Sequence, residues 1–314
     1  MAKIKKYLLL ALTVLTLVFG CFALASCAPA DGNSSSSSTG TSDTGSSDTP
    51  VADTPTEGLA YAINEDGNTA SVIGIGAATN TNIIFASTYN GLPVTAIRGY
   101  AFEECYNLTS VVIPDSVTTI GEDAFDYCYS LTSVVIGDSV TTIGDWAFSE
   151  CYSLTSITVN EYNQYYKSID GNLYTKDGKT LVQYAIGKTA TQFIIPDSVT
   201  TIGDDAFRYC DSLTSIVIPD SVTSIGRYAF EDCYSLTSIV IPDSVTSIGE
   251  YALQYCDSLT SVYYKGTAEE WTEIAINSNN SPLTDATRYY YSEAEPTTSG
   301  KYWHYVDGVP TAWS

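Results

Sequence analysis

Six cysteines are the side chains in this sequence whose type and spacing most suggest chemistry. They recur every 23 residues, with one longer step of 59, at Cys105, Cys128, Cys151, Cys210, Cys233 and Cys256. Thiolates hold zinc when several ligands converge on one point, and thiols pair as disulfides when their Cα atoms lie about 4.4–6.8 Å apart. A column of single thiols does not converge, so we predict no metal site. The spacing leaves disulfides between neighbouring repeats open, and it favours a buried column of reduced cysteines that fills space.

The other side chains that could carry catalysis form no recognisable constellation. The single histidine, His304, lies in the stretch Tyr-Trp-His-Tyr near the C-terminus, which favours a packed residue of a cap. A catalytic triad would need a nucleophile and an acid around it. The acids sit mostly at variable repeat positions, where they add solubility, although counting alone leaves a glycosidase pair open. We therefore predict that the protein is not an enzyme and has no cofactor.

The net charge of the chain argues against some classes of binding partner. The chain of 314 residues carries 36 acidic and 13 basic side chains, for a net charge of −23. This charge repels the phosphates of nucleic acids and the head groups of anionic lipids, so we expect neither to dock on the folded part. Only 16% of the residues are charged, and Ser, Thr and Tyr are abundant, which suits an extracellular β-protein.

The cysteines belong to a repeat that dictates the fold. The stretch LTSIVIPDSVTSIG occurs unchanged at 213–226 and at 236–249. Alternation along Leu-Thr-Ser-Ile-Val-Ile directs Ile239 and Ile241 inward and Val240 outward. Pro-Asp-Ser then turns the chain into a short second strand, and Ala-Phe-x-x-Cys is predicted to form a single helical turn. No repeat can bury its apolar residues alone, so we predict a solenoid of parallel strands stacked about 4.8 Å apart.

The motif LxxIxIPxxVxxIGxxAFxxCxSL resembles the BspA-like class of leucine-rich repeats, which occurs in bacterial and protist surface proteins. Six copies cover about 170 residues. The resemblance implies a β-rich repeat solenoid with a parallel sheet, short helical turns, and N- and C-terminal caps. It also implies a bacterial cell-surface protein whose repeats bind a macromolecule, with adhesion to host matrix proteins such as fibronectin or fibrinogen, or to other cells, as the expected role.

The regions around the repeats indicate five segments in the chain. The predicted segments are a lipoprotein signal peptide at 1–26, a disordered Ser/Thr-rich tether at 27–57, an N-terminal cap with a first rung at 58–96, the repeats at 97–264, and a C-terminal cap at 265–314. One repeat carries an insertion at about 160–192, which resembles the hairpin-bearing long repeat of the family. Its Phe193-Ile194-Ile195 is expected to resume the sheet.

Short signals predict how the caps are built. Asp66-Gly67 indicates a hairpin turn, and Ile83-Ile84-Phe85 is expected to pair as an additional first rung. Thr267 and Glu270 form the sequence pattern of a helical capping box. Asp307-Gly308 marks a final hairpin. Solenoid ends expose apolar columns, so caps are structurally required.

The N-terminus predicts export and lipidation. Three lysines precede the uncharged apolar run from Tyr7 to Ala25, which is the pattern of a secretory signal. The run ends in Leu-Ala-Ser-Cys, which resembles the lipobox of bacterial lipoproteins, so we expect lipid attachment at Cys27. The expected location is the extracellular face of the bacterial cell envelope, with the folded part on a polar tether.

Two aromatic columns form the candidate binding surface, because exposed tyrosine and tryptophan are enriched where proteins bind one another. The tyrosines of the first column are Tyr106, Tyr129, Tyr152 and Tyr234, and the aromatic residues of the second are Tyr100, Trp146, Tyr228 and Tyr251. The candidate residues are Tyr100, Tyr129, Trp146, Tyr152, Tyr228, Tyr234 and Tyr251. Ladders of threonine and valine on the predicted sheet provide a competing surface. The outward ladder consists of Val112, Val135, Thr158, Val217, Val240 and Tyr263.

Three functions remain open on the residues alone. The favoured one is a monomeric, lipid-anchored adhesin that binds an extracellular protein. The alternative is a surface protein that binds or processes glycans, with aromatic side chains stacking on sugar rings. A third, which the interleaved valine column disfavours, is an ice-binding surface formed by the threonine ladders. The sequence does not identify the ligand.

Overall fold

A computed structural model describes residues 54–314 of the chain. The predicted signal peptide, Cys27 and most of the predicted tether lie outside the described residues. Within residues 54–314, no helix is long and apolar enough to cross a lipid bilayer. Thr56, at the end of the predicted tether, is already hydrogen-bonded to the first rung, because its N–H donates to the carbonyl of Ile84 over 2.9 Å.

The Leu-Thr-Ser-Ile-Val-Ile segments form one side of the solenoid, which we call the front sheets. The first front sheet contains β3 (Asn82–Ile84), β6 (Ser110–Val112), β8 (Ser133–Ile136) and β10 (Ser156–Val159). The second contains β14 (Gln192–Ile194), β16 (Ser215–Val217), β18 (Ser238–Ile241), β20 (Ser261–Tyr264), β22 (Thr287–Tyr291), β23 (Tyr302–Val306) and β24 (Val309–Ala312). All pairs up to β23 are parallel, and only β23 and β24 are antiparallel. The parallel stacking predicted from the repeat is confirmed.

The short second strands form another side, the back sheets. The first back sheet contains β1 (Ala60–Ile63), β2 (Ala70–Gly74), β4 (Thr88–Tyr89), β5 (Leu92–Ile97), β7 (Thr119–Ile120) and β9 (Thr142–Ile143). The second contains β11 (Tyr166–Ile169), β12 (Asn172–Thr175), β13 (Thr180–Gln183), β15 (Thr201–Ile202), β17 (Ser224–Ile225), β19 (Ser247–Ile248) and β21 (Ala275–Ile276). Pro-Asp-Ser turns link the two sides, because proline cannot continue a hydrogen-bonded strand.

Identical letters recur because each residue contacts its own counterpart one rung away. Parallel register pairs Ser215 with Ser238 and Ile216 with Ile239. The threonine that precedes each front strand also contacts its counterpart, since the Thr237 hydroxyl donates to the carbonyl of Thr214 over 3.0 Å. The same bond recurs at Thr109, Thr132, Thr155, Thr214 and Thr260. A threonine at this position therefore satisfies its own hydroxyl along the solenoid.

The core is a set of apolar columns between the sheets and the remaining side. Phe102, Phe125 and Phe148 stack with ring centroids 5.4 and 5.7 Å apart. The six repeat cysteines are free, and all six are buried except the half-buried Cys105. Four of the buried thiols donate to the phenylalanine carbonyl of the preceding repeat, as Cys233 does to Phe207 over 3.1 Å. The predicted packing column is confirmed, and the weak thiol donor explains why cysteine rather than alanine recurs.

The predicted single helical turn is instead a run of reverse turns. Two residues of each run have positive φ, for example Tyr228 at 55° and Asp232 at 58°. The alternating conformation directs every second N–H along the solenoid axis, so that Phe230 donates to the carbonyl of Ala252 over 2.7 Å. Hydrogen bonds between rungs thus replace those within a helix. We call this third side the turn face.

The insertion divides both sheets. The front sheet stops at β10 and resumes at β14 without pairing between them, and the back sheet stops at β9. Strands β11 and β12 form the hairpin expected from the family resemblance, and β13 pairs in parallel with β15. The core accordingly consists of two clusters, one in each half. The expected resumption at Phe193 is confirmed, but it begins a new sheet.

The caps follow the predicted signals. Asp66 and Gly67 turn β1 into the antiparallel β2, and β3 pairs as the additional rung. Two helices lie in the C-terminal cap, α1 (Ala268–Thr272) and α2 (Ser281–Asp285). The reciprocal capping box of Thr267 and Glu270 is present at α1. The final hairpin joins β23 to β24.

One prediction about the sheet surface is wrong. Val240 was expected to face outward, yet it is only 1% exposed, whereas Val135 in the first half is 38% exposed. In the parallel register, Val240 lies beside Tyr263. The Tyr263 ring packs on Trp303 of the terminal hairpin at a centroid distance of 5.4 Å. The large cap residues beside this rung cover a position that the repeat pattern alone leaves open.

Candidate functional site

The turn face carries most of the charge of the repeats. Its segments are 97–106, 120–129, 143–152, 202–211, 225–234 and 248–257. Together they contain fourteen carboxylates and three arginines. The front strands and the turns that follow them hold few charges beyond one aspartate per Pro-Asp-Ser or Gly-Asp-Ser turn. An acidic surface of this kind attracts cationic partners and accelerates their association.

Three tyrosines of the first aromatic column form a continuous stack, which we call the tyrosine ladder. Tyr106 and Tyr129 lie 5.2 Å apart between ring centroids, and Tyr129 and Tyr152 lie 5.6 Å apart, with interplanar angles of 21° and 24°. The three residues remain exposed, at 39–46% of their surface. Because the rings cover one another's faces, the ladder presents ring edges and hydroxyls to solvent.

Carboxylates accept hydrogen bonds from these tyrosine hydroxyls. Tyr152 donates to Glu150 over 3.2 Å, and Tyr234, further along the same column, donates to Asp232 over 2.6 Å. The bond to Asp232, with partial burial, raises the pKa of Tyr234 to about 12. Burial and the neighbouring Glu150 likewise raise the pKa of Tyr152. The hydroxyls therefore stay protonated at physiological pH, and the negative charge of the surface resides on the carboxylates.

The second aromatic column is more buried and less regular. Tyr228 and Tyr251 stack at 5.0 Å, and Trp146 meets Tyr228 edge-on at 6.5 Å across the small Asp205. All three are half-buried. Tyr100 is 55% exposed and has no aromatic neighbour in the part of the chain described. The structure thus places the predicted residues on one face, but it stacks only some of them together.

Arg208 joins the two columns, and the sequence did not single it out. Its guanidinium carbon lies 5.8 Å from the centre of the Trp146 ring, 4.8 Å from Tyr209 and 5.5 Å from Tyr228. Its Nε pairs with a carboxylate oxygen of Glu231 at 2.7 Å. Tyr209 in turn meets Tyr152 edge-on at 6.2 Å. The sequence does show that Tyr209, one of the rings that Arg208 contacts, shares its repeat position with Tyr127 and Tyr255.

A cavity of about 200 Å³ interrupts the turn face between the third and fourth repeats. Its lining includes Asp145, Trp146, Asp204, Asp205 and Gln183. The Trp146 indole N–H donates to Asp205 over 3.0 Å. Burial raises the pKa of Asp205 to about 6, against the lowering effects of this bond and of Arg208. We call this feature the notch.

Within residues 54–314, the repeat cysteines and His304 lie in packed surroundings. No group of three or more His, Cys, Asp or Glu side chains there could hold a metal ion. Burial raises the pKa of the Cys128, Cys151 and Cys233 thiols, so they are poor nucleophiles. His304 stacks on Trp313 at 3.7 Å, as expected for a packed residue of a cap.

Comparison with known proteins identifies the repeat. A family model described as a BspA-type leucine-rich repeat region matches residues 81–177 and 183–287 in six copies. The curated proteins contain no significant match. Solenoids of this repeat type are typically non-enzymatic scaffolds that bind proteins through their surface.

Several solved bacterial proteins are similar to this chain. The Treponema pallidum leucine-rich repeat protein TpLRR is 25% identical, with 66% of this chain and 90% of that chain covered and a TM-score of 0.46. The pneumococcal vaccine antigen PcpA is 18% identical, with coverages of 69% and 67% and a TM-score of 0.49. A leucine-rich repeat protein from Eubacterium ventriosum is 22% identical, with coverages of 75% and 77% and a TM-score of 0.47.

Proposed function

Because this chain belongs to the BspA-type leucine-rich repeat family, we propose that it is a cell-surface adhesin that binds an extracellular protein through its turn face. The observation that carries this proposal is the tyrosine ladder, in which three exposed rings on consecutive repeats stand beside carboxylates. Tyrosines already held by stacking lose little entropy when a partner covers them, so they bind effectively.

The charge of the turn face defines the expected partner. Fourteen carboxylates and three arginines lie on its segments, and one of those arginines, Arg208, is already paired with Glu231. A protein segment rich in lysine or arginine complements this surface, and added salt should slow its association. The carboxylates of the turn face would pair with the basic side chains of such a segment, and the ring edges and hydroxyls of the tyrosine ladder would contact the rest of it.

The same geometry favours a protein over a glycan. A sugar binds an aromatic residue by laying its ring on the aromatic face, which must be open. In the tyrosine ladder the internal faces are covered, since neighbouring rings stack 5.2–5.6 Å apart. Glycan binding therefore has fewer available platforms than the number of exposed tyrosines suggests.

Binding measurements on immobilised matrix proteins test the proposal. We expect the purified chain to bind fibronectin, fibrinogen or another basic extracellular protein, and its association rate should fall as salt rises from 50 to 500 mM, roughly, where charges are strongly screened. A glycan array measured in parallel should give weaker signals. Strong glycan binding with no protein binding would replace this function with the alternative.

Display at the cell surface is part of the proposal and depends on Cys27, where the lipobox ends. Two or three acyl chains would hold the protein on a membrane. Cells grown with a palmitate analogue should label the protein, and Cys27→Ala should abolish the label, whereas Cys21→Ala, which alters the other cysteine of the leader, should not. A label that persists in Cys27→Ala would exclude the lipid anchor.

A further inference from the structure

Two backbone N–H groups on the turn face of each repeat point along the solenoid axis and are hydrogen-bonded in every repeat except the third. The residue three positions after the isoleucine that opens each turn-face segment donates its N–H to the next rung in five repeats. The donors are Tyr100, Asp123, Asp205, Tyr228 and Tyr251. The phenylalanine position does the same at Phe102, Phe125, Phe207 and Phe230. In the third repeat, neither Trp146 nor Phe148 has an acceptor for its N–H.

The end of the solenoid shows what such donors require. In the last repeat, the N–H of Leu253 donates to the side-chain oxygen of Asn280, and that of Tyr251 donates to the carbonyl of Ser278. The C-terminal cap thus supplies acceptors where no further rung follows. An unpaired N–H group is costly where water has poor access, and Phe148 is only 2% exposed, so two adjacent unpaired donors inside the solenoid point to an acceptor from outside the chain.

The insertion explains why the acceptors are missing. Tyr184 takes over the bond to the carbonyl of Ala206 that Phe148 would make in a regular stack, at 2.8 Å. Leu181 pairs with Ile202, and Tyr184 takes the phenylalanine position, so only Val182 and Gln183 stand where a normal repeat has four residues. The gap left by that loop is the notch, which Trp146 and Phe148 line on one side and Asp204 on the other. The carbonyl of Asp204, whose counterparts accept bonds in other repeats, has no donor either.

We propose that the notch binds an extended peptide segment of a protein partner that carries a lysine or arginine. One peptide unit would restore the ladder, with its carbonyl accepting from the N–H groups on the Trp146 side and its own N–H donating to the Asp204 carbonyl. This is the bonding of a strand added to an incomplete stack. The inference rests on the proposed function, because it identifies an anchor point on the same face.

The rim of the notch selects the side chain. Asp145 and Asp204 are exposed at its mouth, and Asp205 lies beside Trp146. An anionic ligand would meet these carboxylates, so the N–H groups favour a neutral carbonyl over a phosphate or carboxylate oxygen. A lysine or arginine next to that carbonyl would reach the carboxylates. Arg208 offsets only part of this negative charge, because it is also paired with Glu231.

Hydrogen exchange at Trp146 and Phe148 tests both parts of the proposal. The probes are acetyl-Gly-Lys-Gly-amide, acetyl-Gly-Glu-Gly-amide and n-butylammonium, added to the full chain. Without a probe, the two amides should exchange faster than their counterparts at Asp123 and Phe125. With the lysine peptide at ten times its dissociation constant, their exchange should slow about tenfold, as saturation requires. The glutamate peptide should protect neither amide, and n-butylammonium should bind without protecting them.

Asp145→Asn should weaken the lysine peptide about two- to fivefold, the range for an exposed charge contact. The matched substitution Asp257→Asn in the sixth repeat should have no effect. Three outcomes would overturn the proposal: slow exchange in the free protein, protection by n-butylammonium equal to that by the lysine peptide, or no protection by any probe. If a matrix protein binds while the two amides stay unprotected, the notch proposal fails and the proposed function stands.

Discussion

Replacing Asp205 with asparagine should stabilise the protein, although the carboxylate lies at the centre of the turn face. Asp205→Asn keeps a side-chain oxygen for the Trp146 indole N–H and removes the charge. Burial raises the pKa of Asp205 from 3.8 to about 6, so the charged form is disfavoured in the folded chain despite Arg208. Asp145 and Asp204 add to the effect, because their negative charges also oppose ionisation.

The size and the pH dependence of this effect follow from linkage. A shift of about two pKa units corresponds to about 3 kcal/mol, which we reduce to about 2 kcal/mol because Asp205 retains some contact with water. The folded pKa is the higher one, so between pH 4 and pH 6, roughly, the folded state binds more protons than the unfolded state. The stability of the unsubstituted protein should therefore fall as pH rises through this window.

Urea unfolding of both proteins, followed by circular dichroism at several pH values, measures this difference. Below about pH 4 the two should unfold at similar urea concentrations, since Asp205 is then neutral in both states. At pH 7.5 the variant should be more stable by about 2 kcal/mol. A pH-independent difference, or a variant less stable at pH 7.5, would refute the assignment of a costly buried charge.

Two further substitutions test how the rungs are held together. Cys233→Ala should cost about 1–2 kcal/mol for the lost packing. The loss should exceed that of Cys210→Ala by about 0.5 kcal/mol, because Cys233, unlike Cys210, donates to a phenylalanine carbonyl, that of Phe207. Equal losses in thermal unfolding would contradict this role of the thiol. Asn280→Ala should cost about 2–3 kcal/mol by leaving the buried N–H of Leu253 without its acceptor, and urea unfolding indistinguishable from that of the unsubstituted chain would show that the C-terminal cap does not depend on this bond.

The repeat itself was predictable because every inward position has an identical neighbour. Ile216 and Ile239 pair in register, as the letters require. Val240 was not predictable from the repeat, because Tyr263 beside it packs on Trp303, which comes from the end of the chain. The reverse turns were not predicted for another reason. Residues such as Tyr228 have positive φ although they are not glycine, so the residue type does not indicate the backbone conformation.

The candidate site was predictable only in part. Repeat spacing placed Tyr129 and Tyr152 on one face, and the structure stacks them at 5.6 Å. The notch depends on how the insertion re-pairs, with Tyr184 taking the bond to Ala206. That exchange joins residues 22 positions apart across an irregular segment, so no period in the sequence indicates it. Arg208 likewise became visible only when its contacts with Trp146 and Tyr209 were known.

The central claim is that the turn face, and not the front sheets, binds the partner. The most direct test compares Tyr129→Ala with Tyr152→Ala against Val135→Lys with Val217→Lys, using surface plasmon resonance on immobilised fibronectin, fibrinogen and basement-membrane extract. The tyrosine pair is exposed and removes two rings of the ladder, so at least a tenfold loss of affinity is expected, as for central aromatic contacts. The lysine pair should bind within about twofold of the unsubstituted chain, because small changes outside an interface have little effect. If both variants keep the circular dichroism of the folded protein and only the lysine pair loses binding, the site lies on the front sheets and the claim is wrong.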